Sequence, residues 1–124
     1  MRLMIVDDSR ASRMLIRSII SEYNSTITII EAENGAIAVE NYRKEKPEIV
    51  FLDLTMPVMD GFEALKLILE INNNAVVIVL TADIQGKSVE RCMNLGAYMV
   101  MKKLPQKDII FKTLEEIIKS RDLK

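Results

Sequence analysis

Apolar residues in this chain fall into short unbroken runs, separated by longer stretches in which they recur every three or four positions. Leu3-Met4-Ile5-Val6, Ile27-Thr28-Ile29-Ile30 and Ile49-Val50-Phe51-Leu52 are the first three runs. Ala75 to Leu80 is the fourth, and Tyr98-Met99-Val100-Met101 is a weaker fifth. Each run predicts a strand, and Ile49-Val50-Phe51-Leu52, too short for a helix and without polar alternation, predicts one buried on both faces, as in a parallel sheet covered by helices. The intervening stretches predict helices. The first is capped by Asp8 or Ser9 and presents Ala11, Met14, Leu15, Ser18 and Ile19 on one face. The second follows Asn34-Gly35, turns Gly35, Ala38, Val39 and Tyr42 inward, and ends before Pro47. The third opens at Asp60-Gly61 with Phe62, Leu65, Ile68 and Leu69 inward. The fourth spans about Gln85 to Leu95, carries Val89, Cys92 and Met93, and stops at Gly96. Pro105 is expected in the first turn of the last helix, whose inner face is Ile110, Leu114 and Ile117. Alternating strands and helices predict an α/β fold with right-handed crossovers and helices on both faces of one parallel sheet.

Composition narrows what such a fold can do. The 124 residues suit one domain over 1–124 with a real core, and 49% of them are hydrophobic. A net charge of −1 gives no nucleic-acid footprint and no polybasic membrane patch. No apolar run reaches transmembrane length and no signal peptide is visible, so a cytoplasmic protein is expected. The single cysteine, Cys92, reads as a small buried hydrophobe and fits a reducing compartment. Histidine is absent, which leaves carboxylates, hydroxyls and amines to do any chemistry.

Those groups collect at the carboxyl ends of the predicted strands, the edge where open α/β sheets bind ligands. Asp7 and Asp8 end the first strand, Asp53 the third and Thr81 the fourth, while Lys102 or Lys103 ends the fifth. Each has a plainer role when taken singly: a helix cap, a strand end, a solvated lysine. With strand order 2-1-3-4-5, the first and third strands are neighbours at the switch point and three carboxylates converge. Crowded carboxylates need a counter-charge. A hard cation such as Mg2+ suits a few carboxylates with water and a phosphate. A lysine and a hydroxyl would hold the remaining phosphate oxygens. Asp53, central and flanked by both, is the candidate nucleophile, as in aspartyl-phosphate chemistry.

At this point the sequence resembles the receiver domains of two-component response regulators, of the CheY type. The resemblance covers essentially the whole chain. It rests on Val6-Asp7-Asp8-Ser9, on Asp53-Leu54-Thr55-Met56-Pro57 with Asp60-Gly61, on Thr81-Ala82, and on Gly96-Ala97 followed by Lys103. It implies a flavodoxin-like five-stranded sheet and phosphorylation of Asp53 by a histidine kinase. It implies Mg2+ held by Asp7, Asp8, Asp53 and the carbonyl of Thr55. By the same resemblance Thr81 contacts the phosphoryl group, Ala82 leaves room for it, and Lys103 pairs with its oxygens. An output partner is expected at the face made by the fourth helix, fifth strand and fifth helix. The protein is expected to act as a signal carrier and not as an enzyme, and without contacting nucleic acid or membrane. Thr55 and Asp83, two residues beyond Asp53 and Thr81, are expected to tune the phosphoryl lifetime.

Two positions depart from the family pattern. Lys103 is followed by Leu104, with proline one later at Pro105, where the family has Lys-Pro joined by a cis bond. A cis bond before a residue other than proline costs about 3–4 kcal/mol, so a trans bond or a shifted loop is expected. Val100 stands where most members carry Tyr or Phe. Valine is short and stiff at χ1, so switching is expected to fall to the backbone after Thr81 and to Ile84 and Val89. Tyr98 is expected on Val100's side of the strand by period-two alternation. Three rival functions are weaker. An Mg2+-dependent phosphatase with an aspartate nucleophile needs a second acid where Thr55 stands. A flavodoxin-like electron carrier needs a glycine- and hydroxyl-rich loop where Asp7-Asp8 would repel FMN phosphate. The receiver half of a longer transcription factor would carry a further output domain, and a stand-alone regulator is the simpler expectation.

Overall fold

Strands and helices alternate without exception in the computed structural model, which describes residues 1–56, 58–84 and 86–122. The strands are β1 (Arg2–Val6), β2 (Thr28–Ala32), β3 (Ile49–Asp53), β4 (Val76–Thr81) and β5 (Met99–Lys102). The helices are α1 (Arg10–Tyr23), α2 (Gly35–Glu45), α3 (Gly61–Ile71), α4 (Lys87–Leu95) and α5 (Lys107–Ser120). All pairings are parallel and the order is β2-β1-β3-β4-β5, as expected. The fourth helix begins at Lys87; the expected start at Gln85 lies outside the described residues. Gln106 caps α5, so Pro105 precedes the helix instead of occupying its first turn.

Each central strand feeds two cores. Met4, Val6, Val50, Leu52, Val77 and Val79 pack under α2, α3 and α4. Leu3, Ile5, Ile49, Phe51, Ile78 and Leu80 pack under α1 and α5. This is why the runs show no polar alternation: neither face of β1, β3 or β4 meets water. The inner faces expected for α2 and α5 are buried as expected, and Leu65 and Ile68 hold α3 to the sheet. Cys92 is buried under α4, whereas Met93 is exposed. Gly96 closes α4 at φ 111°, a left-handed conformation that glycine adopts without a Cβ clash.

Two expectations are corrected. Helix α1 buries Ile16, Ile19 and Ile20, while Met14 and Leu15 are 58% and 40% exposed and Ala11 and Ser18 face solvent. The segment Met14-Leu15-Ile16 offers two helical faces. The rotation that wins also turns Arg13 and Arg17 toward Glu31 on β2. Tyr98 does not share Val100's side: it packs with the α1–α5 core and Val100 with the other. Strand β5 begins at Met99, so alternation along the strand does not extend back to Tyr98. Among the described residues, no helix is long and apolar enough to cross a membrane.

Candidate functional site

The parallel sheet brings every strand's carboxyl end to one edge, and β1 and β3 lie side by side there. Asp7 follows β1 and is fully buried; Asp53 ends β3 and is 3% exposed; Asp8 faces solvent. One carboxylate oxygen from each lies within 4.8 Å of the other two. Local bonds set this geometry. Asp7 Oδ1 accepts from the Ser9 amide at 2.9 Å, and the Ser9 hydroxyl caps α1 by accepting from the Ser12 amide. Asp53 Oδ1 accepts from the Thr55 amide at 3.3 Å. Asp60 caps α3 through the Glu63 amide. A Cβ on Gly61 would lie 2.5 Å from both the Asp53 carbonyl oxygen and Leu54 Cα, so only glycine lets α3 start this close to the site.

Lys103, and not Lys102, enters the site. Lys102 is exposed and pairs with Thr81 in the ladder. The amide of Lys103 donates to the Thr81 carbonyl at 2.7 Å, and its Nζ lies 2.9 Å from Asp7 Oδ2 and 3.2 Å from Asp53 Oδ2. The Lys103–Leu104 bond is cis, where a trans bond or a shifted loop was expected, and Lys103 is held at both its amide and its ammonium. Burial pushes the Asp53 carboxyl above the usual aspartate range and the Asp7 charge adds to this, with Lys103 opposing. Burial alone would lower the Lys103 ammonium, but the pull of Asp7 and Asp53 raises it above an ordinary lysine.

Other expected residues lie around this core. Thr55 is exposed and reaches Asp53 through its amide. The Thr81 hydroxyl donates to the Asp83 carbonyl and accepts from the Asp83 amide, each at 3.2 Å, so it is engaged with the following loop. Ala82 is small and exposed. The acids fit a hard cation: among the described residues buried Asp7 Oδ2 and Asp53 Oδ2 have no recorded partner beyond the Lys103 ammonium, one positive charge shared by two buried carboxylates. All the offered donors are oxygens, which suits Mg2+ chemistry. Two neighbours escaped the sequence analysis, Arg13 and Glu31. Arg13 Nη1 donates to the Asp7 carbonyl at 2.6 Å while its Nε donates to Glu31 at 2.8 Å. An arginine on a helix carries no sequence signal for such a role, because most are solvated.

A doubly wound sheet with acids and a lysine at its switch point, in place of a phosphate-binding glycine loop, is the arrangement of a receiver domain. Residues 3–115 match the response regulator receiver domain family, and the chain belongs to it. It is 38% identical to the chemotaxis protein CheY of Bacillus subtilis, over 94% of this chain and 97% of that one. It is 39% identical to CheY of Listeria monocytogenes, over 96% and 99%. Among solved structures it is similar to the CheX–CheY–BeF3–Mg2+ complex of Borrelia burgdorferi, with TM-score 0.83 and 31% identity over 96% of this chain and 87% of that one. The response regulator domain of Thermotoga maritima CheB superposes with TM-score 0.82 at 26% identity, covering 100% and 98%. The chain is thus a CheY-like receiver domain, a signalling module.

Proposed function

We propose that Asp53 accepts a phosphoryl group from the phosphohistidine of a histidine kinase, and that the phosphorylated state binds an output partner. The convergence of Asp7, Asp8, Asp53 and Lys103 on one sheet edge carries this reading. An Asp53 oxygen attacks phosphorus, an O–P bond forms, and the N–P bond breaks with its electron pair returning to the imidazole. Asp7, Asp8, Asp53 and the Thr55 carbonyl are the residues that would hold Mg2+, which when bound neutralises the acids and the transferring phosphoryl oxygens. Lys103 is already paired with the acceptor and can follow charge from the carboxylate to the phosphoryl oxygens. The protein uses up its own side chain in each cycle, so it acts as a signal carrier and not as an enzyme, on the cytoplasmic side where kinase catalytic domains work.

Phosphorylation can direct a partner only by favouring a state that the partner binds better. Thr81 reaches a phosphoryl group by leaving its two bonds to Asp83, which moves the β4–α4 loop and its Ile84. A groove of about 490 Å3 lies beside that loop, lined by Ile84, Val100, Leu104 and Ile109 among others. It belongs to the α4–β5–α5 face proposed for output. Val100 cannot fill the groove by swinging inward as an aromatic ring could, so loop movement is the proposed switch. The test is intact mass after treatment with acetyl phosphate and Mg2+. One added phosphoryl group, lost in Asp53→Asn, is expected; stoichiometric labelling that persists in the variant overturns the assignment.

A further inference from the structure

We propose that Arg13 is a positioning residue: its guanidinium ties the Asp7 carbonyl to Glu31 and so sets the backbone from which Asp7 and Asp8 present their carboxylates. The pairing of β1 with β2 ends at Val6 and Ala32, with one last bond from the Asp7 amide to the Ala32 carbonyl. Beyond that point the Asp7 carbonyl is taken by Arg13 Nη1 at 2.6 Å. The same guanidinium donates through Nε to Glu31 Oε1 at 2.8 Å. Glu31 is held in turn by Arg17, whose Nε and Nη2 lie 2.9 and 2.7 Å from Oε2. Each Glu31 oxygen therefore serves a different arginine, and Arg13 has little freedom, its side chain being 14% exposed.

This chain of contacts runs from the outer edge strand to the acid pocket. It orients the Asp7–Asp8 peptide, and through it the paths of both side chains, one buried and one exposed. A planar fork can serve two acceptors on different elements at once, whereas a single ammonium is a point donor. Among the described residues the recorded partners of Arg13 are the Asp7 carbonyl and Glu31, not the three carboxylates. Arg13 acts through the backbone of a residue that carries one of them. The inference rests on the proposed metal role of Asp7 and Asp8. Groups that orient metal ligands typically matter by about tenfold or more in affinity.

The experiment compares wild type with Arg13→Lys, which keeps the charge and loses the fork, and Arg13→Met, which loses both. Isothermal titration with Mg2+ alone gives affinity, and amide hydrogen exchange by NMR without metal gives backbone order at Asp8 and Ser9. Both variants are expected to bind Mg2+ about tenfold more weakly. Both are expected to speed exchange at Asp8 and Ser9 while β3 amides keep their rates. Wild-type affinity and exchange in Arg13→Lys, with only Arg13→Met impaired, would show a charge effect and overturn the positioning role. Faster exchange at every amide alike would overturn it too, as a general loss of stability. If Arg13→Lys does not fold, Glu31→Gln carries the same measurements. It is expected to change both in the same direction by a smaller factor, and wild-type values there overturn the proposal. If wild-type protein itself ignores Mg2+, the metal reading fails, and the exchange rates still decide what Arg13 does.

Discussion

Replacing Lys103 by methionine, which roughly keeps the side chain's length and removes its charge, tests the electrostatics of the site. Nζ lies 2.9 Å from Asp7 Oδ2 and 3.2 Å from Asp53 Oδ2, and both carboxylates are buried. Removing one partner of a buried ion pair costs about 3–5 kcal/mol, because the other charge stays behind without compensation. A proton limits that cost. Burial and Asp7 already hold the Asp53 carboxyl above its usual range, and Lys103 is what opposes them. Protonating it costs about 1.4 kcal/mol for each unit by which its pKa remains below the pH. The expected loss at about pH 7 is therefore about 3 kcal/mol, the low end of the buried-pair range. The folded variant then binds a proton that the unfolded chain releases near the ordinary aspartate value. Its stability falls as pH rises through the raised folded pKa, so the deficit against wild type shrinks as pH falls toward the ordinary aspartate value. Asp53→Asn should act in the opposite direction. It removes the repulsion with Asp7 while Lys103 still compensates Asp7, so the metal-free protein gains stability. Urea unfolding in EDTA measures both, and Mg2+ at a hundred times its Kd should add about 2.7 kcal/mol to any variant that retains the site. An unchanged unfolding midpoint for Lys103→Met, or a loss for Asp53→Asn as large as that for Lys103→Met, refutes this account.

Three further outcomes are expected. Ile16→Ala should cost about 2–5 kcal/mol, while Met14→Ala stays within about 0.5 kcal/mol; equal losses by urea unfolding would mean that α1 sits in another rotation. Gly61→Ala should destabilise by about 1–3 kcal/mol, since its methyl would press on Asp53 and Leu54, and it should slow acetyl-phosphate labelling; a neutral change in both would contradict the close approach. Burial would raise Glu31, yet the hydrogen bonds and charges of Arg13 and Arg17 outweigh this and hold it below 4.5. Its contribution to stability is thus full above that value and lost as pH falls through the lower folded one. An NMR titration of Glu31 should show the depressed midpoint, and an ordinary midpoint would dismiss the two arginine contacts in solution.

Much of this protein was legible from its amino acids because a parallel βα fold converts order along the chain into position. The apolar runs mark strands, and their carboxyl ends share one edge. Asp7, Asp8, Asp53 and a lysine therefore gather from chain order alone. Gly96 and the caps at Ser9, Asn34 and Asp60 act on their own turn, and local signals of that kind survive folding. What the amino acids left open depends on partners distant in the chain. Met14-Leu15-Ile16 permits two helix rotations, and the core under β1 together with Glu31 selects one. Lys102 and Lys103 differ by one step, and the bond from the Lys103 amide to Thr81 decides which ammonium meets the acids. Tyr98 left Val100's side because β5 starts one residue after it. Arg13 became part of the site only when α1 packed beside β2, since a guanidinium finds a carbonyl and a carboxylate together only where two elements meet.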